Sequence, residues 1–463
     1  MTEDGGSARL PRYWEIIRFN AADFLTLHPA YESRLYQGRI EPNAWRDLAR
    51  GLRGILGGTI RMLQGFACSS VKWRSAALSS GGGYLLLVTI GGAKYAGEER
   101  EVVEACRRRG LAVRTVHVSQ DSVGVAGENV LSIGSTLTRR DYAQALVNWL
   151  GAVFVGLRWC LSSDSMKRSL FVASIPALRA YKTFQLFARR IVSTYGTPTL
   201  VLSLAPWTAV SVALVDHMKG CGVLTAGVRT QTTYAEAEHV AINTDILFCK
   251  SLSERRAYAS VLGESGPKLL DGCLLSIPET YPLKPLDLPR EYVLVLGANP
   301  PDGQDGADRD RFDERLRQVA SAAGLAVVFK DHHLTEGSGE ESSGLSCTAE
   351  TGWVRVTDIR RNRELIDHAS LIVSAPSTLL YYAILRETPV IIVELYSFTL
   401  LPDEFETAPV RRVAWEEGFD GGPLDWKALH DSTAAAKSWF EENYSLEKGP
   451  DFLIGFILGD PRG

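Results

Sequence analysis

Apolar and polar positions change rhythm along this chain near residue 84. Before it, residues 44–66, AWRDLARGLRGILGGTIRMLQGF, space apolar side chains as one helix face does, with arginines at 46, 50, 53 and 61. Such a stretch serves either as the solvated face of an ordinary helix or as a membrane-surface helix. From 84 onward, short apolar runs alternate with amphipathic ones. The runs 84–92, 111–119, 129–134, 199–206, 221–231, 244–251 and 269–276 read as strands. Residues 97–110, GEEREVVEACRRRG, and 252–263 read as helices, a long helical region covers about 140–195, and another helix ends near Lys219. Strands without internal alternation, separated by helices, predict a parallel sheet covered on both faces.

Residues 277–291, IPETYPLKPLDLPRE, hold four prolines, which fix φ and extend the residues before them. They read as a linker, after which the same grammar restarts. The run 292–303, YVLVLGANPPDG, is a strand entering a Gly/Pro/Asn loop, and 308–324 is a helix stopped by Gly324. Next come a strand, LAVVFKDHH (325–333), a soluble loop (335–352), and strand, helix, strand at 354–358, 361–369 and 370–377. A short helical run, Thr388-Pro389, a strand ending in Glu394 and a helical tail (423–462) follow. The expectation is an α/β chain of two Rossmann-like domains with a cleft between them. Its parts are a helical or irregular segment (1–80), an N-terminal domain (81–277), a linker (278–291) and a C-terminal domain with C-terminal helices (292–463).

Composition narrows the function classes. The chain has 463 residues, 45% hydrophobic and 22% charged, with net charge −4, so nothing drives it toward nucleic acid. Its seven cysteines are scattered and form no CxxC pair. That indicates neither a disulfide framework nor a thiol zinc site, and fits a reducing, cytoplasmic setting. The N-terminus lacks the basic-then-apolar order of a signal peptide. Residues 145–161, ALVNWLGAVFVGLRWCL, are too short and polar to span a bilayer. They read as a buried helix, or as an interfacial one with Trp149, Arg158 and Trp159 near lipid headgroups.

Ligands of open α/β sheets sit beyond the carboxyl ends of strands. Three loops of the second half end strands with suitable groups: Gly297-Ala298-Asn299-Pro300, Lys330-Asp331-His332-His333, and Ser374 to Thr378. In the last, Ser377 or Thr378 suits an N-cap, whose hydroxyls and free N–H groups hold an anion or simply cap the helix. The second loop gathers an ammonium and two imidazoles, which neutralise phosphate or stand as polar surface. Adjacent histidines on an extended chain point apart, so one metal ion is not expected there. Glu394 either accepts from a ribose hydroxyl or is a loop residue. Gly91-Gly92 suits close backbone approach to a substrate. Asp358 and Asp367 read as structural.

The order of these features, a strand ending in Lys-x-His and then ELIDHASLIVSAPSTLLYYAILRETPVIIVE, resembles the C-terminal domain of GT-B glycosyltransferases. It is most similar to bacterial enzymes of capsule and surface-polysaccharide synthesis related to sialyl- and Kdo-transferases. The resemblance implies a nucleotide-sugar donor bound through Gly297, Asn299, Lys330, His332 or His333, Ser374, Ser377, Thr378 and Glu394. The histidine role is shared between two positions because His333, not proline, follows His332. It also implies a glycan or glycolipid acceptor on the N-terminal domain. There GVRTQTTYAEAEHVAINTD (227–245) offers Gln231 for the acceptor and Glu236, Glu238 and His239 as catalytic groups, one of which takes the acceptor proton. Neither metal nor cofactor is expected beyond the donor substrate. The basic stretch 44–74 and residues 145–161 suit a membrane-proximal acceptor and a protein peripheral on the inner membrane face. Other readings on the same architecture are a sugar-nucleotide 2-epimerase, a polyol-phosphate transferase and a non-catalytic nucleotide- or glycan-binding relative.

Overall fold

The computed structural model describes residues 44–68, 83–90, 96–117, 129–131, 137–160, 181, 183–206, 208–228, 242–262, 266–275, 277–278, 280–296, 306–330, 353–356, 358–374, 377–394, 405, 407–414 and 424–459. The predicted strand runs form two parallel sheets. The first takes β1 (Tyr84–Thr89), β2 (Ala112–His117), β3 (Asn129–Leu131), β4 (Leu200–Ser203), β5 (Leu224–Val228), β6 (Ile246–Cys249) and β7 (Lys268–Asp271), in spatial order 3-2-1-4-5-6-7. The second takes β8 (Tyr292–Leu296), β9 (Ala326–Lys330), β10 (Trp353–Val356), β11 (Leu371–Ser374), β12 (Val390–Glu394) and β13 (Arg411–Ala414), in order 10-9-8-11-12-13. Counted from its own first strand, each sheet therefore begins 3-2-1-4-5-6, the doubly wound Rossmann order. β13 has no counterpart in the sequence reading, and the predicted strand 84–92 ends at Thr89.

Helices lie on both faces of the first sheet. They are α1 (Ala44–Cys68), α2 (Ala96–Arg108), α3 (Arg139–Cys160), α4 (183–195), α5 (Ala209–Gly220) and α6 (Leu252–Leu262). In β1 the alternation decides which core each residue joins. Leu86 and Val88 pack with α1, α3, α4 and α5, while Leu85 and Leu87 pack with α2. Gly110, just past α2, takes φ +68°, the left-handed value that ends a helix without strain only for glycine. Within α3, Ala145, Trp149 and Val153 face the core. Trp149 is fully buried over Gly58, with its Nε1 donating to Thr59 Oγ1 at 3.4 Å. For Trp149 that favours the buried-helix reading over the headgroup anchor: the ring is large and apolar, and it fills the space between α1 and α3.

The second sheet carries α7 (Gly306–Ala322), α8 (Asn362–His368), α9 (Leu379–Leu385) and α10 (Trp426–Asn443). The chain then returns. Ser251 bridges to Tyr444, Ser445 N–H donates to the Lys250 carbonyl at 3.0 Å, and Cys273 N–H to that of Lys448 at 2.8 Å. The last helix, α11 (Pro450–Ile457), buries Leu453 and Ile454 in the core of the first sheet. Arg108 and Arg109 of the first sheet's side both pair with Asp451. Residues 292–463, grouped together by sequence, thus give their last helix to the other sheet. Sequence could not show this, because an apolar helix carries no mark of which sheet it covers.

Gly272 makes room for this docking. A Cβ there would stand 2.4 Å from Leu453 Cδ2 and 2.7 Å from Phe248 Cδ1, both side chains fully buried. Gly272→Ala should therefore destabilise the protein by about 1–3 kcal/mol through overpacking, read as a lowered thermal midpoint. A variant as stable as the wild type would mean that α11 does not dock against Gly272.

Candidate functional site

The register of the second sheet assembles the candidate donor groups. β8 is hydrogen-bonded on one side to β9, with Leu296 opposite Lys330, and on the other to β11, with Leu296 opposite Ser374. Ile392 of β12 lies opposite Ser374, and β12 ends one alternation later at Glu394. Lys330, Leu296 and Ser374 thus form one row at the carboxyl edge, Lys330 and Ser374 about 10 Å apart at two strand spacings. By alternation they share the face of Val328, Leu294 and Ile372, where α8 and α9 pack. After β8 and β9 the chain builds outward to β10, then crosses back to place β11 on the other side of β8. That reversal opens a crevice at the carboxyl edge between β8 and β11. The Ser374–Thr378 loop leaves the sheet at this point.

Ser374 and Thr378 are buried, and Ser377 is half-buried. The capping expectation is met only in part. Thr378 stands at the cap position with helical angles (φ −58°, ψ −26°) and no side-chain bond, whereas Ser377 Oγ accepts from Leu379 N–H at 3.4 Å. α9 has seven residues, so its dipole is a small contribution beside the row of strand ends. Lys330 is also buried, and a charge placed there is effective because little water screens it.

Asp358 and Asp367, read as structural, are engaged locally. Asp358 pairs with Arg360 at 2.8 Å, and Asp367 accepts from Tyr382 Oη at 2.7 Å and pairs with Arg386 at 3.3 Å. Burial, with the bond to Asp367, pushes the Tyr382 phenol above its ordinary value. Among the described residues, no group of three His, Cys, Asp or Glu side chains is placed to hold a metal ion. Gly297, Asn299, His332, His333, Gln231, Glu236, Glu238 and His239 lie outside the described residues, as do Gly91 and Gly92. The side chain of Glu394 does too.

Two arrangements escaped the sequence reading. The first is a counterpart of the 374–378 loop. β4 also stands beside the first strand of its sheet, with Ser203 opposite Val88, and leads through Ala205-Pro206 to Thr208, the N-cap of α5. Thr208 Oγ1 accepts from Ser211 N–H at 3.2 Å, and Ser203 and Ser211 hydroxyls meet at 2.5 Å. The signal was present: both strands end in Ser, then Ala-Pro, then Thr before a helix.

The second arrangement is the buried pair Lys250–Glu254, just past β6. Both side chains are fully enclosed, Nζ 3.7 Å from Oε1. Glu254 Oε2 accepts the Lys250 N–H at 2.6 Å, and Ser251 Oγ caps Glu254 N–H at 3.1 Å. The Lys250 ammonium also lies 5.6 Å from the ring of Tyr381 in α9. Tyr381 in turn packs against Phe405, Phe440 and Tyr444 at 5.4, 5.6 and 5.8 Å. A charge from the first sheet therefore touches the helix that follows the candidate donor loop. Lys250→Met leaves the Glu254 carboxylate without its cation and should cost about 3 kcal/mol of stability, as for a broken buried pair. A denaturant titration unchanged by that substitution would refute the pair.

Two doubly wound parallel sheets joined by an extended linker make the two-domain α/β architecture called GT-B. No family model matches the chain, and no curated protein matches it by sequence. Solved structures do match it by fold. S. aureus MnaA, solved with UDP, superimposes with a TM-score of 0.52 at 11% identity over 82% of this chain and 98% of that one. A Listeria monocytogenes protein assigned as a UDP-N-acetylglucosamine 2-epimerase gives 0.50 at 12% identity over 81% and 95%. The glycosyltransferase SnogD from Streptomyces nogalater gives 0.47 at 13% over 81% and 98%. At these identities the likeness is one of fold.

Proposed function

We propose that the protein is a nucleotide-sugar enzyme that transfers the sugar to a glycan or glycolipid acceptor in surface-polysaccharide synthesis. The observation that carries this reading is the row Lys330–Leu296–Ser374 at the switch point of the second sheet, with Ser377 beside it. The fold shared with the UDP-bound MnaA structure makes UDP the first nucleotide to test. Lys330 and Ser377, with His332 or His333, would bind the nucleotide phosphates. Breaking the sugar–phosphate bond leaves negative charge on the departing phosphate oxygen, and fixed donors there stabilise it without reorganising. The acceptor would meet Gln231, and Glu236, Glu238 or His239 would take its hydroxyl proton. The buried, unbridged cysteines Cys106 and Cys249 fit a cytoplasmic location.

A second reading, a sugar-nucleotide 2-epimerase, is favoured by the fold shared with the Listeria structure. The two separate on their need for an acceptor. A thermal-shift screen of UDP, CMP, GDP, ADP and dTDP comes first. Saturation at 100 times Kd should stabilise by about 2.7 kcal/mol. One nucleotide should do so, and Ser377→Ala and Lys330→Met should lose most of that shift, each measured against its own unliganded midpoint. With the matching nucleotide sugar, acceptor-dependent nucleotide release identifies a transferase, and 2-epimer formation without acceptor an epimerase. Absence of any shift in the wild type would sink both readings.

A further inference from the structure

Helix α1 has two apolar sides with different fates. Met62 and Ile55 turn into the core beside α3. The adjacent strip, Leu52, Leu56, Ile60, Leu63 and Phe66, is exposed, Leu56 at 63% and Leu52 at 56%. It runs about 21 Å along the helix. On α3, which packs against α1, Val147 at 63% and Leu150 are exposed as well. The other large exposed hydrophobics among the described residues, Val130, Leu224, Leu252 and Leu458, stand singly on separate elements, as is ordinary. Contiguous apolar exposure of this kind marks an interaction surface.

Charge selects the occupant. Arg53 is exposed at the strip's edge, and helical periodicity sets positions 46, 50 and 61 on the same flank. Residues 44–68 hold four arginines and one acid, Asp47, a net +3 in a chain of net −4. A second copy laid on this face would bring arginine against arginine, which opposes association. An anionic bilayer satisfies both features: acyl chains take the leucines, and headgroup phosphates take the guanidiniums. No helix among the described residues is long and apolar enough to cross a membrane, so such contact would be peripheral.

We propose that the exposed apolar strip of α1 docks on the surface of an anionic phospholipid bilayer. The proposal does not rest on the nucleotide-sugar reading, since it concerns a different face and is tested without nucleotide. The full chain is sedimented with vesicles of phosphatidylglycerol and phosphatidylcholine in equal parts, and with phosphatidylcholine alone. The wild type should pellet with the anionic vesicles at low salt and be released at high salt. Leu56→Glu/Leu63→Glu should raise the lipid concentration for half-binding about tenfold or more, with its thermal midpoint unchanged because both side chains are already exposed. Arg53→Glu should weaken binding to the anionic vesicles only. Three outcomes overturn the proposal. One is a wild type that stays in the supernatant with both vesicles, or a double variant that pellets as the wild type does. Another is a dimer in lipid-free solution that the double variant dissociates, which would assign the face to a second copy. The third is a lowered midpoint for the double variant without lipid, which would mean that the chain's own residues cover the strip. Nucleotide binding in the same preparations is scored separately, so either idea can fail alone.

Discussion

Parallel strands can be joined only by crossing over a face of their sheet, and those crossovers turn one way. A sheet that starts in its middle strand must therefore reverse direction once. In the second sheet the reversal falls between β8 and β11, and every described candidate donor residue lies at or beside it. Lys330 reaches the edge because it ends β9, and Ser374 because it ends β11. Leu296 between them is the last residue of the strand that both flank. Shifting either register by one residue would turn Lys330 or Ser374 to the opposite face. The site is thus a consequence of pairing, held by the same apolar runs that hold the sheet.

The two sheets are bound into one protein by the chain's return. α11 fills the outer face of the first sheet with Leu453 and Ile454, and the segment before it is hydrogen-bonded to the ends of β6 and β7. Around this crossing Tyr381, packed with Phe405, Phe440 and Tyr444, sets its ring 5.6 Å from the Lys250 ammonium. Removing two charges from water is unfavourable, and their mutual attraction, with the Lys250 N–H bond to Glu254 Oε2, offsets part of that loss. The pair thus bridges the end of β6 to α9, the helix that follows the candidate donor loop.

Much of the fold was legible in the chain. Apolar runs without alternation gave parallel strands, and glycines at 110 and 324 gave helix ends. The 374–378 loop was legible as a polar turn between a strand and a helix. Its capping geometry was not, since Thr378 and Ser377 are equally good caps by type, and only backbone angles separate them. The likeness of the 203–208 turn went unread because one extra residue separates Ser203 from Ala205-Pro206. Trp149 was open between two readings for a different reason: tryptophan suits a membrane interface and a buried gap equally, and the neighbouring Gly58 decides.

Sequence by itself determined the alternation of strands and helices and the stretches that carry polar chemistry. These are local properties, written in spacing and residue type. The tertiary structure alone decided the strand order, the row that sets Lys330 beside Ser374, the sheet on which α11 packs, and which side of α1 is covered. Each depends on contacts between residues far apart in the chain, where the match of surfaces, not local preference, selects the partner.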